Sequence, residues 1–163
     1  MMKKLLIYLL LAAMILTFVA CKENDDPKAD EKDAYVFIGG GVSIAVDAEV
    51  APILASLGEW QAYDESPSCA FEGLDKIYTY AGFEIRTYPQ GGKDFVHSVI
   101  LYDDTVAIEK DIHIGSTADA VKTAYGTPDE ETTDALIYRA KGMLLQFLLE
   151  GGQVTSIQYC KAQ

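Results

Sequence analysis

Residues 78–103, YTYAGFEIRTYPQGGKDFVHSVILYD, decide the fold because they are typical of three short strands separated by turns. The chain repeats this stretch more loosely over residues 138–161, YRAKGMLLQFLLEGGQVTSIQYCK. Gly82 of the first stretch corresponds to Gly142 of the second, and two later Gly-Gly turns also correspond. Similarity at a fixed spacing predicts two copies of one supersecondary unit.

A helix is predicted ahead of the strands in each copy. Copy one spans residues 42–104, and its helix is expected to begin near Asp47 as the N-cap and to end at Gly58. Its apolar face consists of Val50, Ile53, Leu54 and Leu57. Copy two spans residues 111–161, and a capping-box pattern that begins at Ser116 starts its helix.

The predicted fold class is α+β, with two tandem helix-plus-three-strand repeats that form one antiparallel sheet. Both helices are expected to pack on the same face of that sheet. The opposite face is expected to carry large apolar side chains, which often mark an interaction site. This possible protein-binding face comprises Tyr88, Ile100, Tyr102, Leu144, Leu148 and Val154. An equally weighted alternative is that loops, or residues 35–41, cover it.

The N-terminus predicts export. Lys3 and Lys4 precede an apolar run over residues 5–19, which is too short and too close to the N-terminus to favour a membrane-spanning helix. The small residue followed by Cys21 resembles the lipobox of bacterial lipoproteins, which implies a signal peptide over residues 1–20 and lipidation of Cys21. An ordinary secretory signal and an uncleaved anchor helix are the alternatives.

Charge and composition divide the rest of the chain into two parts. Residues 21–34 are nearly all charged or helix-breaking and predict an acidic flexible tether, and residues 35–163 form the tandem-repeat domain. The net charge is -12, and it becomes -14 when the two signal-peptide lysines are removed. A surface this acidic argues against nucleic-acid binding and favours a basic partner.

No residue pattern predicts catalysis. The two histidines, His97 and His113, lack further ligands at zinc spacing, so neither a metal site nor a cofactor is expected. With Cys21 assigned to the lipid, Cys69 and Cys160 remain as an even pair in an exported protein. One disulfide between them is slightly favoured over two free thiols.

Three families resemble parts of this sequence. The repeat architecture of residues 42–161 resembles the β-lactamase inhibitor protein fold. The block Cys69–Tyr80, CAFEGLDKIYTY, and the turn at Asp103–Asp104 are similar to uncharacterised cell-surface lipoproteins of Firmicutes. The segment 114–128, IGST…V…YGTP, is similar to the helix start of small outer-membrane-assembly lipoproteins.

These resemblances imply protein binding rather than catalysis. In the inhibitor family, aromatic residues on the sheet make the contact, a role that here falls to Tyr88, Tyr102 and Trp60. The predicted function is a lipid-anchored extracytoplasmic module that binds an unknown protein or peptide on the open sheet face. The alternatives are a structural envelope-assembly lipoprotein and an inhibitor of a secreted enzyme such as a β-lactamase.

Overall fold

The structure is a computed structural model that describes residues 33–162, so the predicted signal peptide and Cys21 lie outside the described residues. The strands are β1 (Phe37–Gly39), β2 (Val42–Ile44), β3 (Ala62–Pro67), β4 (Leu74–Thr79), β5 (Phe83–Gln90), β6 (Lys93–Leu101), β7 (Glu130–Glu131), β8 (Ala135–Ala140), β9 (Met143–Glu150) and β10 (Gln153–Lys161). The helices are α1 (Val50–Leu57), α2 (Ala118–Tyr125) and a 3-10 turn at Glu109–Asp111. Within this described part, no helix has the length and apolar character needed to span a membrane.

Eight strands form one antiparallel sheet in the order β3-β4-β5-β6-β10-β9-β8-β7, and β1 pairs with β2 in a separate two-stranded sheet. The predicted fold class of two helix-plus-three-strand repeats is therefore wrong. The protein is mostly antiparallel sheet with two short helices, and four strands follow each helix. The extra strand β3, AYDESP, is exposed along its whole length. It forms six residue pairs with β4. Because none of its side chains is buried, it lacks the alternation of apolar and polar residues by which a sequence pattern indicates a strand.

The two groups of four strands share one irregularity. In β6, His97 is an extra residue between Val96 and Ser98, because these two pair with consecutive residues of β5. In β10, Thr155 is the extra residue in the same position relative to β9. A β-bulge of this kind reverses the side-chain alternation on its two sides, so it fixes which residues of each strand face the core.

The segment before each helix is hydrogen-bonded to the bulged strand. Each segment makes the same reciprocal pair of backbone bonds. In copy one, Asp47 N–H donates to Val96 O (2.8 Å) and Val96 N–H to Ala48 O (2.9 Å); in copy two, Gly115 N–H donates to Val154 O (2.7 Å) and Val154 N–H to Ser116 O (2.8 Å). The start of each helix is thus attached to the sheet in an equivalent way.

The helix starts differ from the predicted ones. Asp47 is not the N-cap of α1: Glu49 occupies that position without a side-chain bond, and Asp47 has a positive φ of 65°. In α2 the N-cap is Thr117, whose Oγ1 accepts a bond from Ala120 N–H at 3.1 Å. Ser116, the predicted start, instead accepts a bond from a preceding backbone N–H. Both starts are shifted because the lead-in segments are bonded to the sheet.

One hydrophobic core lies on one face of the eight-stranded sheet. Val50 and Ile53 of α1, Val121 of α2 and Phe37 of β1 belong to the same buried cluster. The sheet contributes Tyr78, Phe83, Ile85, Val99, Leu101, Leu136, Tyr138, Leu145, Phe147, Ile157 and Tyr159. Both helices therefore pack on the same face, which leaves the other face without a helix.

Two corresponding turns differ in their surroundings, which gives a direct test of the packing at the β4–β5 turn. Gly82 and Gly142 both have a positive φ, 82° and 74°. A Cβ added at Gly82 would lie 2.5 Å from Thr105 Oγ1 and 2.6 Å from Val106 Cγ2, whereas a Cβ at Gly142 meets no atom within 4 Å. We expect Gly142→Ala to lower the free energy of unfolding by about 1–2 kcal/mol and Gly82→Ala by about 2–4 kcal/mol. Urea denaturation measures both, and equal losses would contradict this packing.

Candidate functional site

The open face of the sheet, which is the face turned away from both helices, contains rows of paired side chains that cross both copies. One row runs from β5 to β8 through Arg86, Ser98, Cys160, Leu144 and Arg139. The next row consists of Glu84, Ile100, Gln158, Gln146 and Ile137. Leu148 follows two residues after Gln146 on β9. The face mixes aliphatic and polar groups, and most of them are half-buried.

Three of the six predicted binding residues, Ile100, Leu144 and Leu148, lie half-buried in these rows. Val154 does not, because it is only 1% exposed and belongs to the core. Its placement on the open face assumed uninterrupted alternation along β10, and the bulge at Thr155 reverses that alternation. The aliphatic side chains on this half of the open face are therefore Ile137 of β8 and the two leucines of β9, with Gln146 between the leucines.

The three predicted aromatic contact residues, Tyr88, Tyr102 and Trp60, have different environments. Tyr102, just beyond the end of β6, is 45% exposed, and its hydroxyl donates to Tyr80 O at 2.5 Å. Tyr88 is only 4% exposed, because Phe71 of the loop between β3 and β4 lies over it with 5.0 Å between the ring centroids. Tyr88 is therefore covered rather than available as a flat contact surface. Trp60 is 44% exposed but contacts Tyr78 of the core cluster, at 5.2 Å between centroids.

The hydroxyl of Tyr88 takes part in a polar cluster that joins three chain segments. It donates to Asp47 Oδ1 at 2.9 Å and accepts a bond from Lys161 Nζ at 3.1 Å. Lys161 Nζ also donates to the same Asp47 oxygen at 2.9 Å. The bonds to Asp47 and then Tyr88 raise the pKa of Lys161 above its usual value. The cluster fixes the Tyr88 ring against the end of the open face.

A cavity of about 520 Å³ lies between the β3–β4 loop and this end of the open face. Ile77, Arg86 and His97 contribute to its sheet side, and Phe71 and Tyr88 contribute aromatic wall. Volumes of a few hundred Å³, with apolar walls and a small number of polar groups, are typical of small-ligand sites. The cavity is therefore a second candidate site on the open face, separate from Leu144 and Leu148, which we call the leucine patch.

Carboxylates dominate the charged groups at this cavity. Asp64, Glu65 and Asp75 line it. Asp75 Oδ1 is buried, and it has no hydrogen-bond partner among the described residues. Glu65 accepts a bond from the hydroxyl of Tyr63, and this bond is the main reason that the pKa of Tyr63 is raised to about 12. Asp75 therefore offers an acceptor that the protein itself leaves unused.

The two basic side chains of the cavity already have carboxylate partners. Lys76 Nζ lies 2.6 Å from Asp94 Oδ2, and this hydrogen bond raises the pKa of Lys76. Arg86 contacts Glu84 Oε1 through Nε at 2.7 Å and through a terminal nitrogen at 2.6 Å. Their positive charges are thus largely balanced within the protein, so they leave the carboxylate of Asp75 without a counterion.

The loop that covers the cavity is held by a local serine turn. Ser68 Oγ accepts bonds from Ala70 N–H (3.4 Å) and Phe71 N–H (3.3 Å), and Ser68 N–H donates to Gly73 O at 3.0 Å. No sequence pattern identifies this loop as part of a site. A serine at the start of a short segment that ends in glycine is a turn signal, but it does not indicate which surface the turn covers.

The cysteines are free thiols in the structure rather than the predicted disulfide. Cys69 is exposed in the β3–β4 loop, and Cys160 is half-buried on the open face. Burial raises the pKa of the Cys160 thiol, and nearby Arg86 opposes this effect. A thiol whose pKa is raised stays protonated and is a weak nucleophile, so the geometry does not favour thiolate chemistry at Cys160. Across residues 33–162, no group of three His, Cys, Asp or Glu side chains is placed to hold a metal ion.

Comparisons with known proteins give little to add to this geometry. No family model matches the chain, and no curated protein matches it. A solved structure that resembles it is the crystal structure of the uncharacterized protein yfeY from Escherichia coli. The two are 12% identical, the TM-score is 0.44, and the match covers 72% of this chain and 93% of that chain.

The polar cluster predicts that the hydroxyl of Tyr88 contributes to stability. Tyr88→Phe keeps the ring and removes both hydrogen bonds of the hydroxyl. Asp47 Oδ1 then loses one of its two donors, and Lys161 Nζ loses one of its two acceptors. We expect the free energy of unfolding to fall by about 1–2 kcal/mol. Tyr102→Phe is the control, because its hydroxyl makes a single bond and its side chain is exposed, and we expect a loss below about 0.5 kcal/mol. Thermal or urea denaturation compares them, and a larger loss at Tyr102 would contradict the assignment.

Proposed function

We propose that this protein is a lipid-anchored, extracytoplasmic binding module rather than an enzyme, and that it holds a basic protein or peptide on the open face of its sheet. The observation that carries the proposal is the half-buried aliphatic patch at Leu144 and Leu148 on a face that neither helix covers. Apolar groups gathered on an otherwise polar face are typical of an interaction surface.

The charge of the chain supports a basic partner. The net charge is -12, and Glu84, Asp64 and Asp75 lie on or beside the open face. Electrostatic attraction of this sign increases the encounter rate with cationic partners and disfavours acidic ones. A partner that combines apolar and basic groups therefore matches both properties of the surface.

The β9 leucines provide the main test of this function. The full chain is immobilised and offered a random peptide library, and we expect the retained peptides to be enriched in Lys or Arg together with apolar residues. In Leu144→Ser/Leu148→Ser, affinity for a retained peptide should fall at least tenfold, because the patch is lost. The free energy of unfolding should fall by less than about 2 kcal/mol, because both side chains are only half-buried.

Ile38→Ser is the matched control for this experiment. Ile38 is a 55% exposed aliphatic residue on β1, away from the open face. Its replacement should leave peptide affinity unchanged. Retained binding in the double leucine variant, or an equal loss in the Ile38 variant, would place the binding surface elsewhere.

Anchoring is tested separately at Cys21. We expect Cys21→Ser to abolish incorporation of a labelled fatty acid in a bacterial host and to shift the protein from the membrane fraction to the soluble fraction. Cys69→Ser is the matched control, because Cys69 is an exposed cysteine of the folded domain and its replacement should change neither result. Continued labelling of the Cys21 variant would exclude this residue as the lipid attachment site.

A further inference from the structure

We infer that the cavity under the β3–β4 loop is a subsite for an organic cation, an alkylammonium or guanidinium group carried on an apolar body, with Asp75 as its counterion. The group belongs to a free amine or to a basic side chain of a bound peptide. The inference rests on the proposed function only in that both use the open face. The cavity and the leucine patch consist of different residues, so they are tested separately.

The unused acceptor at Asp75 supports a ligand that donates hydrogen bonds. Its Oδ1 is buried and has no partner among the described residues, although buried polar atoms are nearly always hydrogen-bonded. An ammonium or guanidinium donor supplies both the missing bond and the opposite charge. An anionic ligand would add a further negative charge beside this carboxylate.

The charge balance around the cavity favours the same ligand. With the partners of the basic side chains included, five carboxylates (Asp64, Glu65, Asp75, Glu84 and Asp94) surround two basic groups, Lys76 and Arg86, and the imidazole of His97. Both basic groups are already bonded to carboxylates outside the lining. The cavity therefore keeps an excess of negative charge that a cation can neutralise.

The walls of the cavity accommodate the apolar body of such a ligand. Phe71, which is 41% exposed, lines the loop side of the cavity, and Ile77 of β4 lines the sheet side. An aromatic face attracts a cation as well as an apolar group. The protein uses this attraction on the neighbouring ring, since Lys161 Nζ lies 4.7 Å from the ring centroid of Tyr88.

Calorimetric titration of the full chain with phenethylammonium tests the inference. We expect saturable binding, with 2-phenylethanol binding about tenfold to a hundredfold more weakly and phenylacetate not binding. Asp75→Asn should weaken phenethylammonium binding by a similar factor. Asp134→Asn is the control. It removes one carboxylate from the turn between β7 and β8, at the opposite edge of the sheet from the cavity, and should leave binding unchanged.

The ligand comparison keeps the test decisive even if Asp75→Asn fails to fold, because it needs only the unaltered protein. Equal binding of the amine and the alcohol, or an unchanged affinity in a folded Asp75→Asn, would overturn the inference. Leu144→Ser/Leu148→Ser should still bind phenethylammonium, so a loss of peptide capture there leaves the cavity assignment intact.

A competition experiment identifies the source of the cation. If a Lys-containing peptide displaces phenethylammonium and its Ala analogue does not, the subsite receives a peptide side chain. If neither peptide displaces it, the subsite receives a free amine. Both results support the assignment, whereas equal displacement by both peptides would show that the charge is not recognised and would overturn it.

Discussion

The pairing of β6 with β10 is the contact on which the rest of the structure depends, because it joins the four strands β3–β6 to the four strands β7–β10. Its four residue pairs place Val99 opposite Tyr159 and Leu101 opposite Ile157 on the core side. A hydrogen bond from Ser156 Oγ to Leu101 O at 3.1 Å adds to this pairing. With the two halves in register, one core extends beneath both helices, and the open face continues without interruption across both copies. A slip of one residue would exchange the two faces.

Much of the sheet follows from the sequence, because the strands with a buried face show their pattern. The alternation in β5, β8 and β9 indicates which side chains face the core, and the paired glycines mark the turns between these strands. The strands β3 and β7 were missed because their side chains are exposed, so only backbone pairing defines them. The bulges at His97 and Thr155 were also missed. An extra residue leaves no compositional signal in an apolar strand. Because of the bulge at Thr155, Val154 faces the core and not the open face.

The candidate site was predictable only where it depends on one strand. Alternation along β9 places Leu144 and Leu148 on the open face, and the structure has them there. The environment of Tyr88 depends instead on contacts from Phe71, Asp47 and Lys161, which lie far apart in the sequence. Periodicity describes which side of a strand a residue occupies, and it does not describe what a distant loop places on top of it. The cavity therefore has no signature in the sequence.

The two groups of four strands differ in the turn that joins their first two strands, and this difference explains why the open face is uneven. In copy one, residues 68–73 separate β3 from β4 and reach over the face, while in copy two only residues 132–134 separate β7 from β8. One half of the face therefore has a covered acidic cavity and the other half has an open leucine patch. Arg86, at the cavity, and Leu144 are three strand spacings apart in one row, which is about 14 Å. An extended chain covers this distance in about four residues, so one short peptide is long enough to place a basic side chain in the cavity and an apolar side chain on the leucines.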